Sequence, residues 1–166
     1  IYVDARDRDL IATDIKTLPY PGFPTDIQSP FMAFLTKVNG KSVIRETVFE
    51  NRFMHVVELN RMGADIVTEN REAVVPGSKR LKGAKVRATD LRAGAALVIA
   101  ALSAKSPREL EDSPIFDVPM CSIIEQAELV ERGYEYFDEK LRALGGYIYR
   151  FENREDIAKF NIKQFA

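Results

Sequence analysis

Two acids stand at matching points of this sequence, each just inside a segment of helical periodicity: Asp26 in Thr25-Asp26-Ile27-Gln28 and Asp90 in Thr89-Asp90-Leu91-Arg92. A carboxylate held at the start of a helix can take a proton from a substrate hydroxyl. It can equally cap the helix, because the orphan N–H groups and the dipole both favour an acid there. Thr25 with Gln28 has capping-box spacing, and Pro24 and Pro30 stiffen the chain on either side of Asp26. Capping is the commoner role, and both remain open at this point. Arg92, and Arg132 in Glu131-Arg132-Gly133-Tyr134, carry guanidinium forks that match carboxylate and phosphate geometry, or else form exposed ion pairs of little energetic worth. The segment Glu46-Thr47-Val48-Phe49-Glu50-Asn51-Arg52-Phe53-Met54-His55 is dense in donors and acceptors; its plain reading is a core of Phe49, Phe53 and Met54 with polar groups capping a helix. His55 is the only histidine and Cys121 the only cysteine, so an internal disulfide, a two-histidine metal site and a histidine triad within the chain are excluded. His55 is expected to be packed rather than catalytic, and Cys121 has no neighbour in sequence to activate it. With no phosphate-binding loop or dinucleotide fingerprint either, no metal and no cofactor are expected.

The elements that must hold these residues repeat. Asp26 and Asp90 lie 64 positions apart, and each opens a stretch with apolar residues at helical spacing: Phe31, Phe34, Leu35 and Val38 in the first, Ala95, Val98, Ile99 and Leu102 in the second. Each stretch is followed by a strand signal, Ser42-Val43-Ile44 and Ser122-Ile123-Ile124. Each strand is followed by a second helix that ends at a glycine, Gly63 or Gly145, where a left-handed residue is wanted. Strand-like segments then come at Asp65–Thr68 and Tyr147–Phe151, and short strands at Ala73–Val75 and Lys85–Arg87. From Asp26 to Val43 is 17 positions and from Asp90 to Ile123 is 33, so the second copy carries about 16 extra residues, within the Pro-rich 105–121 stretch. Two copies of one small unit imply a shared core.

Composition agrees with a single folded body. Across 166 residues, 46% are hydrophobic and 30% charged, which allows one sizeable core and excludes three or more domains. With 24 basic against 25 acidic residues the net charge is −1, leaving no positive field for nucleic acid or a membrane surface. The apolar run Ala93–Ala104 is twelve residues, short of the roughly 20 needed to span a bilayer. With no leader and a single cysteine, a cytoplasmic location is expected.

In order and nearly word for word, the segments Asp14-Ile15-Lys16-Thr17, Pro21-Gly22-Phe23-Pro24-Thr25-Asp26, Glu46 to His55, Glu58 to Ala64, Ala88 to Ala93, Arg132 to Glu135 and Lys140 to Gly145 resemble the UDP-N-acetylglucosamine enolpyruvyl transferase (MurA) family. The match covers most of residues 11–150, and the Phe-Glu-Asn-Arg-Phe-Met-His string separates it from the shikimate-pathway relatives of the same fold. The resemblance implies an α+β fold of βαβαββ units, an inside-out α/β barrel, with this chain supplying two of the three units of one domain. The partial domain would be residues 1–151, with units at about 11–83 and 84–151, an insertion at about 105–121 and a tail at 152–166. It implies transfer of enolpyruvyl from phosphoenolpyruvate to the 3-hydroxyl of UDP-N-acetylglucosamine, on the route to peptidoglycan, in a cleft between two domains. The partner expected for the chain is therefore the missing N-terminal part of the same protein.

Carried over by position, Asp26 would be the proton-transferring base. Val48 and Phe49 would hold the UDP-sugar, Asp90 and Arg92 would line the cleft, and Arg132 would face phosphoenolpyruvate and its tetrahedral adduct. The family's reactive cysteine lies in the other domain, and Cys121 does not match it. The insertion and tail depart from the family pattern, so the alternative is a non-catalytic remnant that binds a nucleotide sugar or a protein. The absent initiator Met is expected to mark the cut edge of a longer chain, and the chain alone is expected to be inactive.

Overall fold

The computed structural model describes residues 2, 4–5, 8–104, 122–153 and 155–157, in two compact units, Ile1–Tyr134 and Glu135–Ala166. The expected insertion, with Cys121, lies outside the described residues, as does most of the tail.

Two β-α-β crossovers set the frame of the first unit. β1 (Ile15–Lys16) leads through α1 (Thr25–Leu35) to β2 (Lys41–Arg45), which returns parallel to β1 with Ile15 opposite Ile44. After α2 (Val56–Arg61), the hairpin of β3 (Val67–Glu69) and β4 (Glu72–Pro76) completes a sheet ordered β1-β2-β4-β3, β4 lying antiparallel to both its neighbours. This is one full βαβαββ unit. The second copy repeats its opening: β5 (Lys85–Arg87) leads through α3 (Leu91–Ser103) to β6 (Ile123–Glu125), parallel to β5, and then to α4 (Glu128–Glu131). A serine performs the same task in both copies, since Ser42 Oγ accepts from the Thr13 N–H at 3.1 Å and Ser122 Oγ from the Ala84 N–H at 3.4 Å. In the second compact unit, α5 (Phe137–Ala143) is pinned by an Asp138–Arg142 pair at 3.0 Å. Gly63 and Gly145 terminate α2 and α5 at φ +90° and +92°, as their positions predict.

The core lies where α1 and α3 pack side by side over β2, β4 and β5. α3 is built from Ala, Gly, Leu and Val, and Ala93–Val98 is buried without a break, so this helix is enclosed nearly all round rather than along one stripe. Leu102, assigned to the buried face by periodicity, is exposed near its C-terminal end. In α1 the buried face also differs from expectation: Gln28, Ser29, Met32, Ala33 and Leu35 are buried, whereas Phe34 lies at the surface. Small and slender side chains let the two helices approach, and the Phe31 ring meets Phe23 edge-on and Phe34 at a tilt, each with centroids 5.5 Å apart. The alternation at 147–151, in the second compact unit, does not form a strand. Among the described residues, no helix is long and apolar enough to cross a membrane.

Candidate functional site

The two acids at equivalent points behave differently. Asp90 is the N-cap of α3, its Oδ1 accepting from the N–H groups of Arg92 at 2.8 Å and Ala93 at 3.0 Å. Asp26 lies one residue inside α1, whose N-cap is Pro24, and among the described residues it caps nothing. The capping box expected from Thr25 and Gln28 does not form. Thr25 Oγ1 donates instead to Glu46, and Gln28 is buried with its Oε1 accepting from Ser29. Asp26 turns outward to Arg92, Oδ1 meeting Nε at 2.5 Å across the α1–α3 junction. The Asp26 side chain is 63% exposed, the Arg92 side chain 26%. Because residue 30 is proline, no N–H one turn on meets the Asp26 carbonyl. The result is an outward-facing carboxylate, anchored by one oxygen to a guanidinium whose own backbone is fixed by Asp90.

Beside it, the loop after β2 is organised by a residue that motif reading passed over. Glu46 is buried and accepts four hydrogen bonds: Thr17 Oγ1 at 2.8 Å, Val48 N at 2.9 Å and Phe49 N at 3.1 Å on Oε1, and Thr25 Oγ1 at 2.9 Å on Oε2. Burial raises its pKa, but the donors from Thr17, Phe49, Val48 and Thr25 outweigh this and leave it below the usual carboxylate range. Thr17 and Thr47 lock together as well, the Thr47 N–H donating to Thr17 Oγ1 at 2.9 Å and the Thr47 hydroxyl to the Thr17 carbonyl. The signal available in the sequence was phase: Ser42, Ile44 and Glu46 share the inward side of the β2 alternation.

Val48 and Phe49 are thereby held at the surface, 37% and 47% exposed, and are not core. The Arg52 guanidinium lies over the Phe49 ring at 4.3 Å. His55 is buried and hydrogen-bonded to the Arg52 backbone, with Nε2 unpartnered among the described residues. Burial pushes its pKa down to about 4, against the opposing pull of the Asp90 charge and the Arg52 backbone bond, so the ring is neutral near pH 7.

Arg132, the C-cap of α4, is exposed. It reaches the neighbourhood of the α3 start through two close approaches. A Cβ on Gly94 would lie 2.4 Å from Val130 Cγ2, and one on Gly133 would lie 2.8 Å from Leu91 Cδ1. The structure thus joins Asp26, Asp90 and Arg92 directly, links the Val48–Phe49 main chain through Glu46 to Thr25, next to Asp26, and packs the helix that Arg132 caps against the same end of α3.

Comparison with known proteins gives a consistent picture. A family model described as EPSP synthase (3-phosphoshikimate 1-carboxyvinyltransferase) matches residues 1–141. The chain is 57% identical over 139 residues to UDP-N-acetylglucosamine 1-carboxyvinyltransferase 1 of Caldanaerobacter subterraneus subsp. tengcongensis, covering 84% of this chain and 30% of that one. It is 53% identical over 143 residues to UDP-N-acetylglucosamine 1-carboxyvinyltransferase of Thermodesulfovibrio yellowstonii, covering 86% and 31%. The enolpyruvyl transferase NikO from Streptomyces tendae superimposes with a TM-score of 0.69 at 27% identity, over 84% of this chain and 29% of that one. The chain therefore spans about three-tenths of the length of the curated relatives it matches.

Proposed function

The chain belongs to the EPSP synthase family of enolpyruvyl transferases, and from that premise we propose that it is part of a UDP-N-acetylglucosamine 1-carboxyvinyltransferase, acting in the cytoplasm on the route to peptidoglycan. The observation that carries this reading is its 53% to 58% identity, across most of its length, to three enzymes of that name. In the proposal, phosphoenolpyruvate donates its enolpyruvyl group to the 3-hydroxyl of UDP-N-acetylglucosamine and phosphate leaves.

Asp26 is the base. One oxygen is held by Arg92, and Oδ2 takes the hydroxyl proton as the sugar oxygen bonds to C2 of phosphoenolpyruvate. The C2=C3 double bond opens with a proton added at C3, and the adduct then loses phosphate from C2 and a proton from C3 to restore the double bond. Arg132 supplies positive charge where the phosphate and the tetrahedral adduct sit, with Arg92 as a second cation and Asp90 fixing the Arg92 backbone. Since the Val48 N–H is engaged by Glu46, its carbonyl is the main-chain group offered to the sugar, with Phe49 alongside. The remaining length of the relatives provides the other wall of the site.

The test is phosphate release by the full-length protein with phosphoenolpyruvate and either UDP-N-acetylglucosamine or shikimate 3-phosphate. Turnover with the UDP-sugar alone is expected. Turnover with shikimate 3-phosphate would reassign the substrate. No turnover with either, together with thermal protection by UDP-N-acetylglucosamine, would favour a non-catalytic sugar-nucleotide binder.

A further inference from the structure

Glu46 ties together three parts of the chain. Its Oε1 gathers the hydroxyl of Thr17, at the end of β1, and the two successive N–H groups of Val48 and Phe49. Its Oε2 takes the hydroxyl of Thr25, next to Asp26. The internal repeat supplies a control within the same molecule. The Thr17 N–H bonds to the Arg45 carbonyl and the Ala88 N–H to the Glu125 carbonyl, so Ala88 stands where Thr17 does, and Gln126 stands where Glu46 does. In the second copy the hydroxyl is gone and the carboxylate is an amide. The Gln126 side chain accepts from Arg87 Nε at 2.7 Å, away from any such cluster. The β-α-β crossover forms in both copies, parallel pairing included. The clamp is therefore not a requirement of this supersecondary unit. It belongs to the copy in which Asp26 faces outward.

We propose that Glu46 is a positioning residue: it fixes the Val48–Phe49 main chain relative to Asp26 and so sets the grip on the sugar nucleotide. What the loop grips rests on the enolpyruvyl transferase reading; the clamp does not. An ionised carboxylate suits the task because four donors converge on it, and each is stronger to a charge than to a neutral acceptor. Val48 and Phe49 N–H groups turned inward onto Glu46 leave their carbonyls and side chains directed by one buried group.

The experiment uses Glu46→Ala, Glu46→Gln and Thr17→Val in the full-length protein. With phosphoenolpyruvate and UDP-N-acetylglucosamine, Glu46→Ala is expected to raise KM for the UDP-sugar at least about tenfold while KM for phosphoenolpyruvate stays within about twofold. Thr17→Val should shift the same constant less. Glu46→Gln, which can keep an oxygen in the Oε1 place, should recover most of the loss. A loss of folded protein alone would lower the active fraction without moving either KM, and unchanged KM for the UDP-sugar in Glu46→Ala would overturn the proposal. Amide hydrogen exchange decides the clamp separately from the reaction. Glu46→Ala should speed exchange at Val48 and Phe49 by at least about tenfold while Val74 in β4 holds its rate. If the unmutated protein shows no turnover, the reaction reading fails and this exchange result alone judges the clamp; unchanged exchange at Val48 and Phe49 overturns it in either case.

Discussion

At the scale of single side chains, Asp26 and Asp90 show how equivalent positions diverge. Asp90 spends its carboxylate on two backbone N–H groups, whereas Asp26, among the described residues, meets only Arg92 and is largely exposed. Replacing Asp26 by Asn keeps the shape and removes the basic oxygen. In the full-length protein, phosphate release by Asp26→Asn is expected to fall by roughly 10²- to 10⁴-fold, the usual share of a general base; turnover near the unmutated rate would remove Asp26 from the mechanism. His55 makes a different prediction. Its folded pKa, about 4, lies below its ordinary 6.5, so the unfolded chain binds the proton first as pH falls. Stability is then full above pH 6.5 and declines toward pH 4, by about 3 kcal/mol in all if the ring alone titrates. Glu46, whose folded pKa is lowered, adds a loss in the same direction at more acid pH, below the unfolded carboxyl range. Urea unfolding between pH 4 and pH 7 should show this slope, and His55→Gln should flatten it; equal slopes in the two proteins would remove His55 as its source.

At the scale of elements, the site depends on how closely α3 is approached from two sides. α1 comes near through Met32, Ala33 and the alanines of α3, and this brings Asp26 to Arg92. α4 comes near through Gly94, where an added methyl would collide with Val130 and crowd Ala88 at 3.2 Å. Gly94→Val is therefore expected to cost about 1–3 kcal/mol as an overpacked contact and to move α4 with Arg132. Gly133→Ala should cost less, because the atom it meets is the end of the Leu91 side chain. Equal unfolding midpoints for the two variants would contradict the close approach at Gly94. The cap is a separate support. Asp90→Ala leaves two N–H groups of α3 without their acceptor and should lower stability by about 1 kcal/mol. No loss in denaturant unfolding would mean that solvent satisfies that turn equally well.

At the scale of the whole molecule, the repeat accounts for the shared core: each copy contributes one long helix, and the two helices bury one another. The chain covers about three-tenths of the length of its curated relatives. If the reaction needs a cleft closed from both sides, the isolated chain should release no phosphate from phosphoenolpyruvate and UDP-N-acetylglucosamine, in the assay that reads turnover in the full-length protein. Robust turnover by the isolated chain would show that its own residues suffice.

The sequence by itself determined the local architecture and the family. Helical and strand periodicities, the glycines ending α2 and α5, the repeated Thr-Asp starts and the long ordered match are all properties of neighbouring residues, and neighbours in sequence are what such patterns report. The candidates Asp26, Asp90, Arg92, Val48, Phe49 and Arg132 were nameable from those motifs. Which acid caps and which faces outward was not, because the choice turns on Arg92, 66 positions from Asp26, and on Glu46 drawing Thr25 away from the cap. The clamp at Glu46 was hidden for the same reason: its four donors come from three separate segments. The surface position of Phe34 and the missing strand at 147–151 follow similarly. A residue's periodic phase says which way it points, but only the packed partner decides what it meets.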